Sequence, residues 1–323
     1  MNMLPVTFDD VLDAAERLRG EARLTPLFED EMLNERVGGR LLVKAEPLQR
    51  TGSFKFRGAF NKIATVEADA VVAFSSGNHA QGVALAARLR GKKATIIMPA
   101  DAPRIKQENT KAYGAELRLY DRYREEREKI GAQIAEESGA VLVKPYDDPH
   151  VIAGQGTVGL EMAKQAQEIG ATVDAAIVCA GGGGLTAGCA IALTHAIPGI
   201  SVHTAEPEGF DDHRRSLLSG KREGIDKDAR SICDALLAPT PGELTFAINS
   251  ELVHSGYAVS DAEVRHAMRL AFERLKVVVE PGGAVALAAA LSGKHECRDR
   301  TTLVVLSGGN VDPATFREAL DQG

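Results

Sequence analysis

A lysine lies between two phenylalanines in the segment RTGSFKFRGA, residues 50–59. Phe54 and Phe56 flank Lys55, and the residues that follow have the pattern of a helix. Aromatic neighbours exclude water from an amine, which lowers its pKa and frees it to form a Schiff base with a carbonyl compound. Alone, the segment also fits an ordinary surface lysine near a helix start, so Lys55 is a candidate nucleophile that needs support from other segments.

Hydroxyl, amide and imidazole groups are concentrated in FSSGNHAQG, residues 74–82. The segment follows a predicted strand and opens a helical pattern, and the N–H groups of a helix start bind carboxylates and phosphates. A Ser or Asn cap with a glycine turn is the simpler explanation. The density of polar side chains exceeds what a cap requires, and the candidates for substrate binding are Ser75, Ser76, Asn78 and His79.

Four consecutive glycines, Gly181–Gly184, follow the predicted strand Ala175–Cys179 and precede an apolar helix. Glycines let the backbone approach an anion closely, so this loop is a candidate phosphate site. It lacks the Lys and Ser/Thr of a nucleoside-triphosphate loop. A dinucleotide site needs an acidic residue about 20 positions further on. Glu206 lies near that place, so a nicotinamide-dependent oxidoreductase remains an alternative.

A serine ends the last predicted strand, in LSGGN, residues 306–310. Ligands of open α/β sheets bind at the carboxyl ends of the strands, where Ser307 is placed to hydrogen-bond a ligand. A Ser-Gly-Gly turn would satisfy loop geometry equally well. Taken singly these loops are weak indications of function.

The composition is that of an ordinary globular protein. The chain has 323 residues, 38 Lys and Arg against 45 Asp and Glu, 44% hydrophobic residues and a net charge of −7. These values exclude a disordered tail, a collagen-like repeat and a disulfide miniprotein. The acidic excess gives no reason to expect nucleic acid or a membrane as a partner. The four cysteines lack metal-site spacing, and the acidic, amphipathic first twenty residues do not resemble a signal peptide. We therefore expect a cytoplasmic protein.

The elements that must position these loops alternate along the chain, which predicts parallel sheets covered by helices. The uncharged stretch Ala175–Ala205 is long enough to span a membrane, but its glycines and Pro198 favour a buried strand–loop–helix–strand unit. Residues 207–245 break the alternation and predict a surface excursion. Predicted strands are Val71–Phe74, Ala94–Met98, Glu116–Tyr120, Ala140–Val143, Ala175–Cys179, Ser201–Ala205 and Thr301–Leu306; predicted helices cover 56–66, 79–90, 104–113, 123–138, 156–169, 185–196 and 262–275.

In their order, seven segments resemble the fold-type-II pyridoxal-phosphate enzymes, in the branch of threonine/serine dehydratases and serine racemase. The resemblance runs from Leu24 to Asp312 and implies the two-domain α/β fold of tryptophan synthase β-like enzymes. It implies a large cofactor-binding domain from 1–65 and 150–323, and a small mobile domain from 66–149 that carries the substrate loop. The segments are TGSFKFRGA, SSGNHAQG, AGQGTVGLE (153–161), GGGGL, AEP (205–207), VEPGGA (279–284) and LSGGN.

The resemblance also implies roles for single residues. Lys55 would bind pyridoxal 5'-phosphate covalently and remove the substrate's Cα proton, and Ser76 would lie on the opposite face of the cofactor. Ser307 would meet the pyridine nitrogen; a hydroxyl there leaves the nitrogen unprotonated, which weakens the electron sink and favours elimination. The other cofactor contacts would be Phe54 beside the ring, Asn78 at the ring 3'-oxygen, and Gly181, Gly182, Gly183, Gly184 and Leu185 around the phosphate.

A divalent cation is a further implication, since racemase-like members of the family bind one. Its ligands would map to the carboxylates of Glu206 and Asp212 and the main-chain carbonyl of Phe210, with Mg²⁺ expected before Mn²⁺ or Ca²⁺. An acidic surface loop is the alternative for this segment. The family is usually dimeric, which implies a homodimer.

The substrate class depends on what contacts the β-substituent. Arg127 follows the predicted strand Glu116–Tyr120, and serine racemase has an arginine at what looks like the same place. An arginine binds a second carboxylate through two parallel hydrogen bonds. We therefore predict dehydration of 3-hydroxyaspartate to an imine or 2-keto acid plus ammonia. A solvated helix at 121–130 is the plain alternative for Arg127. Threonine/serine dehydration, racemisation of serine or aspartate, and a catalytically inactive binding protein remain open.

Overall fold

A computed structural model describes residues 4–102, 104–121 and 124–323; it does not describe the side chains at 105, 127 and 128. The helices are α1 (Phe8–Leu18), α2 (Glu31–Val37), α3 (Lys55–Ala64), α4 (Asn78–Leu89), α5 (Arg104–Ala112), α6 (Arg127–Ser138), α7 (Pro149–Glu168), α8 (Gly184–Ala196), α9 (Asp212–Ser219), α10 (Glu243–Leu252), α11 (Asp261–Leu270), α12 (Pro281–Leu291) and α13 (Pro313–Gln322). The strands are β1 (Leu27–Phe28), β2 (Arg40–Ala45), β3 (Ala70–Phe74), β4 (Lys93–Pro99), β5 (Glu116–Tyr120), β6 (Val141–Leu142), β7 (Ala175–Cys179), β8 (Ser201–Pro207), β9 (Ser255–Val259) and β10 (Thr301–Leu306).

The strands form two sheets. The larger has the order β1-β2-β10-β7-β8-β9 and is parallel except for the two-residue edge strand β1. The smaller has the order β5-β4-β3-β6 and is parallel throughout. Strands β7 and β10 are almost entirely apolar and buried, because helices cover both faces of the larger sheet. The predicted α/β class with parallel sheets is confirmed; the domain boundaries at 65 and 150 stay a prediction.

Two predictions about the elements need correction. Residues 207–245 are not simply a surface excursion, because they contain α9 and bury Phe210, Asp212, His213 and Cys233. The predicted elements also omit three strands and six helices, namely β1, β2, β9, α1, α2, α9, α10, α12 and α13. Helix α12 is apolar on all sides, PGGAVALAAAL, and nearly all of it is buried, so it has no amphipathic stripe from which a sequence pattern detects a helix.

The prediction for the uncharged stretch agrees with the fold. All four cysteines are buried and free. The stretch 175–205 forms β7, a loop, α8 and β8. No helix in the described part of the chain is long and apolar enough to cross a bilayer.

Candidate active site

Two backbone contacts hold the loop before Lys55 against the end of β10. Ser53 pairs with Gly308 in an isolated antiparallel bridge. The Phe54 N–H donates to the Ser307 carbonyl over 3.1 Å. Lys55 then begins α3, so its side chain leaves from a helix start anchored to the C-terminal edge of the larger sheet.

The ammonium group of Lys55 has few polar partners. Nζ donates to the Pro145 carbonyl over 2.8 Å, and it lies 5.1 Å from the centroid of the Phe54 ring. Burial lowers the pKa of Lys55 to about 8, with only partial compensation from nearby acidic groups. A sizeable fraction of this amine is therefore neutral near physiological pH, which is the state in which it acts as a nucleophile or base.

Behind Lys55, a buried charge network fixes α3, and sequence reasoning missed it. Arg57 is 1% exposed and donates to both oxygens of Glu46 and both oxygens of Glu161. Lys44 donates to Glu161 over 2.6 Å. Two cations and two carboxylates thus balance one another, and each of the three buried charges, on Lys44, Glu46 and Arg57, has a partner of opposite sign. The signal was available, because Arg57 and Glu161 lie within two of the quoted motifs.

The loop 75–77 joins β3 to α4, and Asn78 and His79 begin that helix. Helix α4 approaches α3 closely at Gly82, where a Cβ atom would lie 3.1 Å from the carbonyl carbon of Lys55. His79 is buried and its Nε2 contacts the Val143 carbonyl at 2.9 Å. Burial and the charge of Lys55 lower the pKa of His79 to about 3, so the ring is neutral. What His79 offers a substrate carboxylate is its backbone N–H in the first turn of α4.

Asn78 has two side-chain partners that sequence reasoning did not identify. Its Nδ2 donates to Glu280 Oε1 over 2.5 Å, and its Oδ1 accepts from Asn310 Nδ2 over 2.7 Å. Glu280 is buried, and burial together with the negative charge of Asp234 raises its pKa to about 8. The quoted motifs VEPGGA and LSGGN contain Glu280 and Asn310, which was the only signal for them.

The glycine loop has no room for side chains. A Cβ atom on Gly182 would lie 2.3 Å from the Tyr146 ring, and Gly183 has φ of +89°. Thr245 Oγ1 donates to the Gly182 carbonyl over 2.7 Å, and Asn249 Nδ2 reaches the Gly183 carbonyl at 3.5 Å. The carbonyls are thereby engaged, while the first amides of α8 have no acceptor within the helix. This arrangement fits a phosphate group.

The residues present therefore fit pyridoxal phosphate. Pro145 and Tyr146 link Lys55 to the glycine loop. The Pro145 carbonyl accepts from Lys55 Nζ, and the neighbouring Tyr146 ring packs against Gly182. Ser307, 4% exposed, completes the edge through its backbone contact to Phe54. Lys55 would hold the cofactor covalently, the glycine loop its phosphate and Ser307 its ring nitrogen. The structure describes no contact of the Ser76 side chain, so that residue's role stays a prediction.

The remaining predictions concern Arg127, expected to bind the substrate's second carboxylate, and the three predicted metal ligands. Arg127 begins α6, but its side chain lies outside the described residues. Glu206 accepts from the His213 and Arg214 N–H groups at 2.8 Å each, so it caps α9. Asp212 is 1% exposed, and Phe210 is buried. Within the described ranges, no three His, Cys, Asp or Glu side chains are grouped to hold a metal ion.

Comparison with known proteins supports the assignment of the cofactor. The family model for pyridoxal-phosphate dependent enzymes matches residues 18–308. An L-threo-3-hydroxyaspartate ammonia-lyase from Pseudomonas sp. is 44% identical over 97% of this chain and 98% of its own. The serine racemase of Schizosaccharomyces pombe is 40% identical over 99% of both chains.

Solved structures give the same result. A threonine deaminase from T.th. superposes with a TM-score of 0.90 at 42% identity, covering 95% of this chain and 99% of that one. These similarities confirm the predicted fold and the predicted branch of relatives. With Lys55, the glycine loop and Ser307 placed at one sheet edge, the chain belongs to the family of pyridoxal-phosphate dependent enzymes.

Proposed function

We propose that the protein is an ammonia-lyase that dehydrates 3-hydroxyaspartate and releases ammonia from the resulting imine. The observation that carries the proposal is the buried amine of Lys55 next to a glycine loop suited to a phosphate. When bound, pyridoxal phosphate supplies an electron sink that acidifies the α-proton of an amino acid.

Lys55 Nζ takes the α-proton, because burial holds its pKa at about 8 and leaves part of it neutral. Ser307 would meet the ring nitrogen with an uncharged hydroxyl, which would leave that nitrogen unprotonated. The backbone N–H groups that open α4 bind the α-carboxylate. The smaller sheet carries the loop that leads into α4. When this sheet moves towards the larger sheet over a bound substrate, water is excluded from the reacting atoms.

Arg127 provides the preference for a dicarboxylic substrate in this proposal. It begins α6, the helix that follows β5 in the chain. Relatives named as 3-hydroxyaspartate ammonia-lyases, at 44% and 43% identity, support the choice. Relatives named as a serine racemase, a threonine ammonia-lyase and a threonine dehydratase have 38–40% identity, and the threonine deaminase of known structure has 42%, so threonine or serine dehydration is the second candidate. Racemisation is supported by Ser76, which would supply a proton group on the face opposite Lys55.

The first experiment compares ammonia release from L-threo- and L-erythro-3-hydroxyaspartate, threonine and serine by the cofactor-loaded protein, with optical rotation followed in parallel. We expect the highest kcat/KM for a hydroxyaspartate, and in Lys55→Ala the loss of the absorption band of the lysine-bound cofactor. A preference for threonine or serine would overturn the proposed substrate. A protein that never binds the cofactor would overturn the proposed function.

A second experiment isolates Arg127. We expect Arg127→Ala to raise KM for hydroxyaspartate about tenfold or more while leaving KM for serine within about twofold, because only the dicarboxylate loses a charge-assisted pair. Arg124→Ala is the matched control, since Arg124 is 86% exposed and pairs with Asp121 at 3.6 Å. Equal effects of Arg127→Ala on both substrates would contradict the assignment.

We also propose a Mg²⁺ site between Glu206 and Asp212, with the Phe210 carbonyl and waters as further ligands. Two observations support it: both carboxylates are buried, and Asp212 Oδ2 has no partner among the described groups. Hard oxygen ligands of this kind suit Mg²⁺. Adding Mg²⁺ is expected to raise the Tm of the wild type but not of Asp212→Asn; an equal response of both proteins would reject the site.

A cytoplasmic homodimer completes the proposal. Four buried free thiols are typical of proteins in a reducing compartment. Large apolar side chains remain exposed on the surface of this chain, among them Met32 at 55% and Phe272 at 42%. Exposed apolar side chains become covered when they lie in a subunit interface, and we assign these two to the dimer contact. Sedimentation equilibrium at micromolar concentration is expected to give twice the 34.3 kDa chain mass; a single-chain mass would reject the dimer.

A further inference from the structure

The carboxamide of Asn78 lies at a junction of four chain segments. Asn310 Nδ2 donates both to the Thr51 carbonyl and to Asn78 Oδ1, each over 2.7 Å. Asn78 Nδ2 in turn donates to Glu280 Oε1 over 2.5 Å. The chain of hydrogen bonds therefore runs from the loop before Lys55, through the last loop of the larger sheet, to the start of α12.

The orientation of both amides follows from the one partner that cannot change its role. The Thr51 carbonyl only accepts, so Asn310 must turn its NH₂ group towards it. The second hydrogen of that NH₂ group then requires the oxygen of Asn78 opposite it. Asn78 Nδ2 consequently faces Glu280 and uses one of its two hydrogens there. The other hydrogen of Asn78 remains available to a ligand.

Because the site is buried, reversing either amide would cost free energy. Glu280 is 4% exposed and Thr51 6% exposed, so a reversed amide would place like atoms against each other without water to relieve the mismatch. Thr51 also has φ of +60°, a rare conformation for a β-branched residue. The hydrogen bond from Asn310 holds the carbonyl of this strained residue, four positions before Lys55.

We propose that Asn310 and Glu280 are positioning residues that lock the Asn78 amide so that its free N–H points at the ring oxygen of pyridoxal phosphate. The inference rests on the proposed function, because it needs the cofactor at Lys55. It extends that function to two residues outside the cofactor contacts. A reversed amide would present Asn78 Oδ1, an acceptor, to an oxygen that carries negative charge.

The test follows the visible absorption of the lysine-bound cofactor against pH, and cofactor affinity for the cofactor-free protein. Donation by Asn78 withdraws charge from the ring oxygen and weakens its hold on a nearby proton. In Asn310→Leu we therefore expect a higher pH at the midpoint of the change in visible absorption of the lysine-bound cofactor. We also expect the Kd for pyridoxal phosphate to increase about ten- to hundredfold. Glu280→Gln, which keeps an acceptor, is expected to stay near the wild type, and Glu280→Leu to follow Asn310→Leu.

Two controls separate positioning from loss of structure. Asn61→Leu removes another buried amide, one that donates to the His150 carbonyl over 2.7 Å and accepts from Arg17; its midpoint is expected to equal that of the wild type. In an Asn78→Leu background, Asn310→Leu is expected to have no further effect on the midpoint. A full effect in that background, or an unshifted midpoint in Asn310→Leu, would overturn the inference. A wild type without visible absorption would instead reject the proposed function.

Discussion

At the scale of the residue, the amine of Lys55 is shielded from water, as the sequence predicts, but not by both flanking phenylalanines. Phe54 lies beside the amine, with its ring centroid 5.1 Å from Nζ. Phe56 is 0% exposed and packs in the core of the smaller sheet with Phe60, at 5.6 Å between centroids. Only one of the two aromatic neighbours therefore shields Lys55, and general burial at the sheet edge does the rest.

The lowered pKa of Lys55 predicts how fast the cofactor-free protein captures pyridoxal phosphate. Only the neutral amine attacks an aldehyde, and it predominates above the pKa. The rate of covalent capture is therefore expected to rise with pH and to level off above about 8, as followed by stopped-flow absorbance. A midpoint near 10.5, the ordinary value that an exposed lysine peptide would show as a control, would contradict the buried environment.

At the scale of the element, glycines set how closely α7 and α8 cross. A Cβ atom on Gly188 would lie 2.4 Å from the Ile152 carbonyl oxygen, and one on Gly159 would lie 2.9 Å from the Cys189 Cα. The backbones thus touch without intervening side chains. This crossing supports the glycine loop at the start of α8, so the spacing of two helices determines where a phosphate can bind.

Gly188→Ala is accordingly expected to lower the free energy of unfolding by about 1–3 kcal/mol, because the obstructing atoms belong to the backbone and cannot rotate away. Gly131→Ala in α6 is the matched comparison. Its Cβ atom would meet only side-chain carbons at 3.4 Å or more, so a gain of about 0.5–1 kcal/mol from helix propensity is expected. Urea denaturation of both variants measures the contrast; similar changes in the two would contradict the close crossing.

At the scale of the whole molecule, a cluster of histidines at the larger sheet makes the stability of the folded chain depend on pH. His203 Nδ1 lies 2.8 Å from Ser255 Oγ, and Tyr257 Oη lies 2.9 Å from His295 Nδ1. Burial lowers the pKa of His203 to about 4, and the neighbouring His295, His254 and Arg300 contribute in the same direction. His203 is therefore neutral in the folded chain at pH values where the unfolded chain is protonated.

Between pH 6.5 and about 4 the unfolded chain binds the extra proton, so His203 makes the protein less stable as the pH falls. Carboxyls with raised pKa values, such as Glu280, act in the opposite direction. The prediction therefore concerns a difference: the stability of the wild type relative to His203→Gln is expected to fall by up to about 1.4 kcal/mol per pH unit in this window. Thermal unfolding across pH measures it, with His195→Gln, an exposed site, as control; a flat difference profile would contradict the buried neutral state.

From the sequence alone one can single out the lysine, the glycine loop and the serine that the fold brings to one sheet edge, while their roles toward the cofactor stay predictions. Lys55, the four glycines and Ser307 follow strands or open helices, and local order along the chain is sufficient to predict that such loops meet at one sheet edge. The alternation of apolar strands and helices likewise determined the α/β class with parallel sheets. These features depend on residues near one another in the chain.

The side chains that complete the site from distant parts of the chain are set by the three-dimensional packing of the elements. Asn78 and Asn310 are separated by 232 positions, and Arg57 and Glu161 by 104. A hydrogen bond between residues so far apart depends on strand order and helix crossing, which leave no periodic signal in the chain. Burial is decided in the same way, because the surroundings of an amine or carboxyl come from several elements at once, and so the pKa values of Lys55 and Glu280 are properties of the fold.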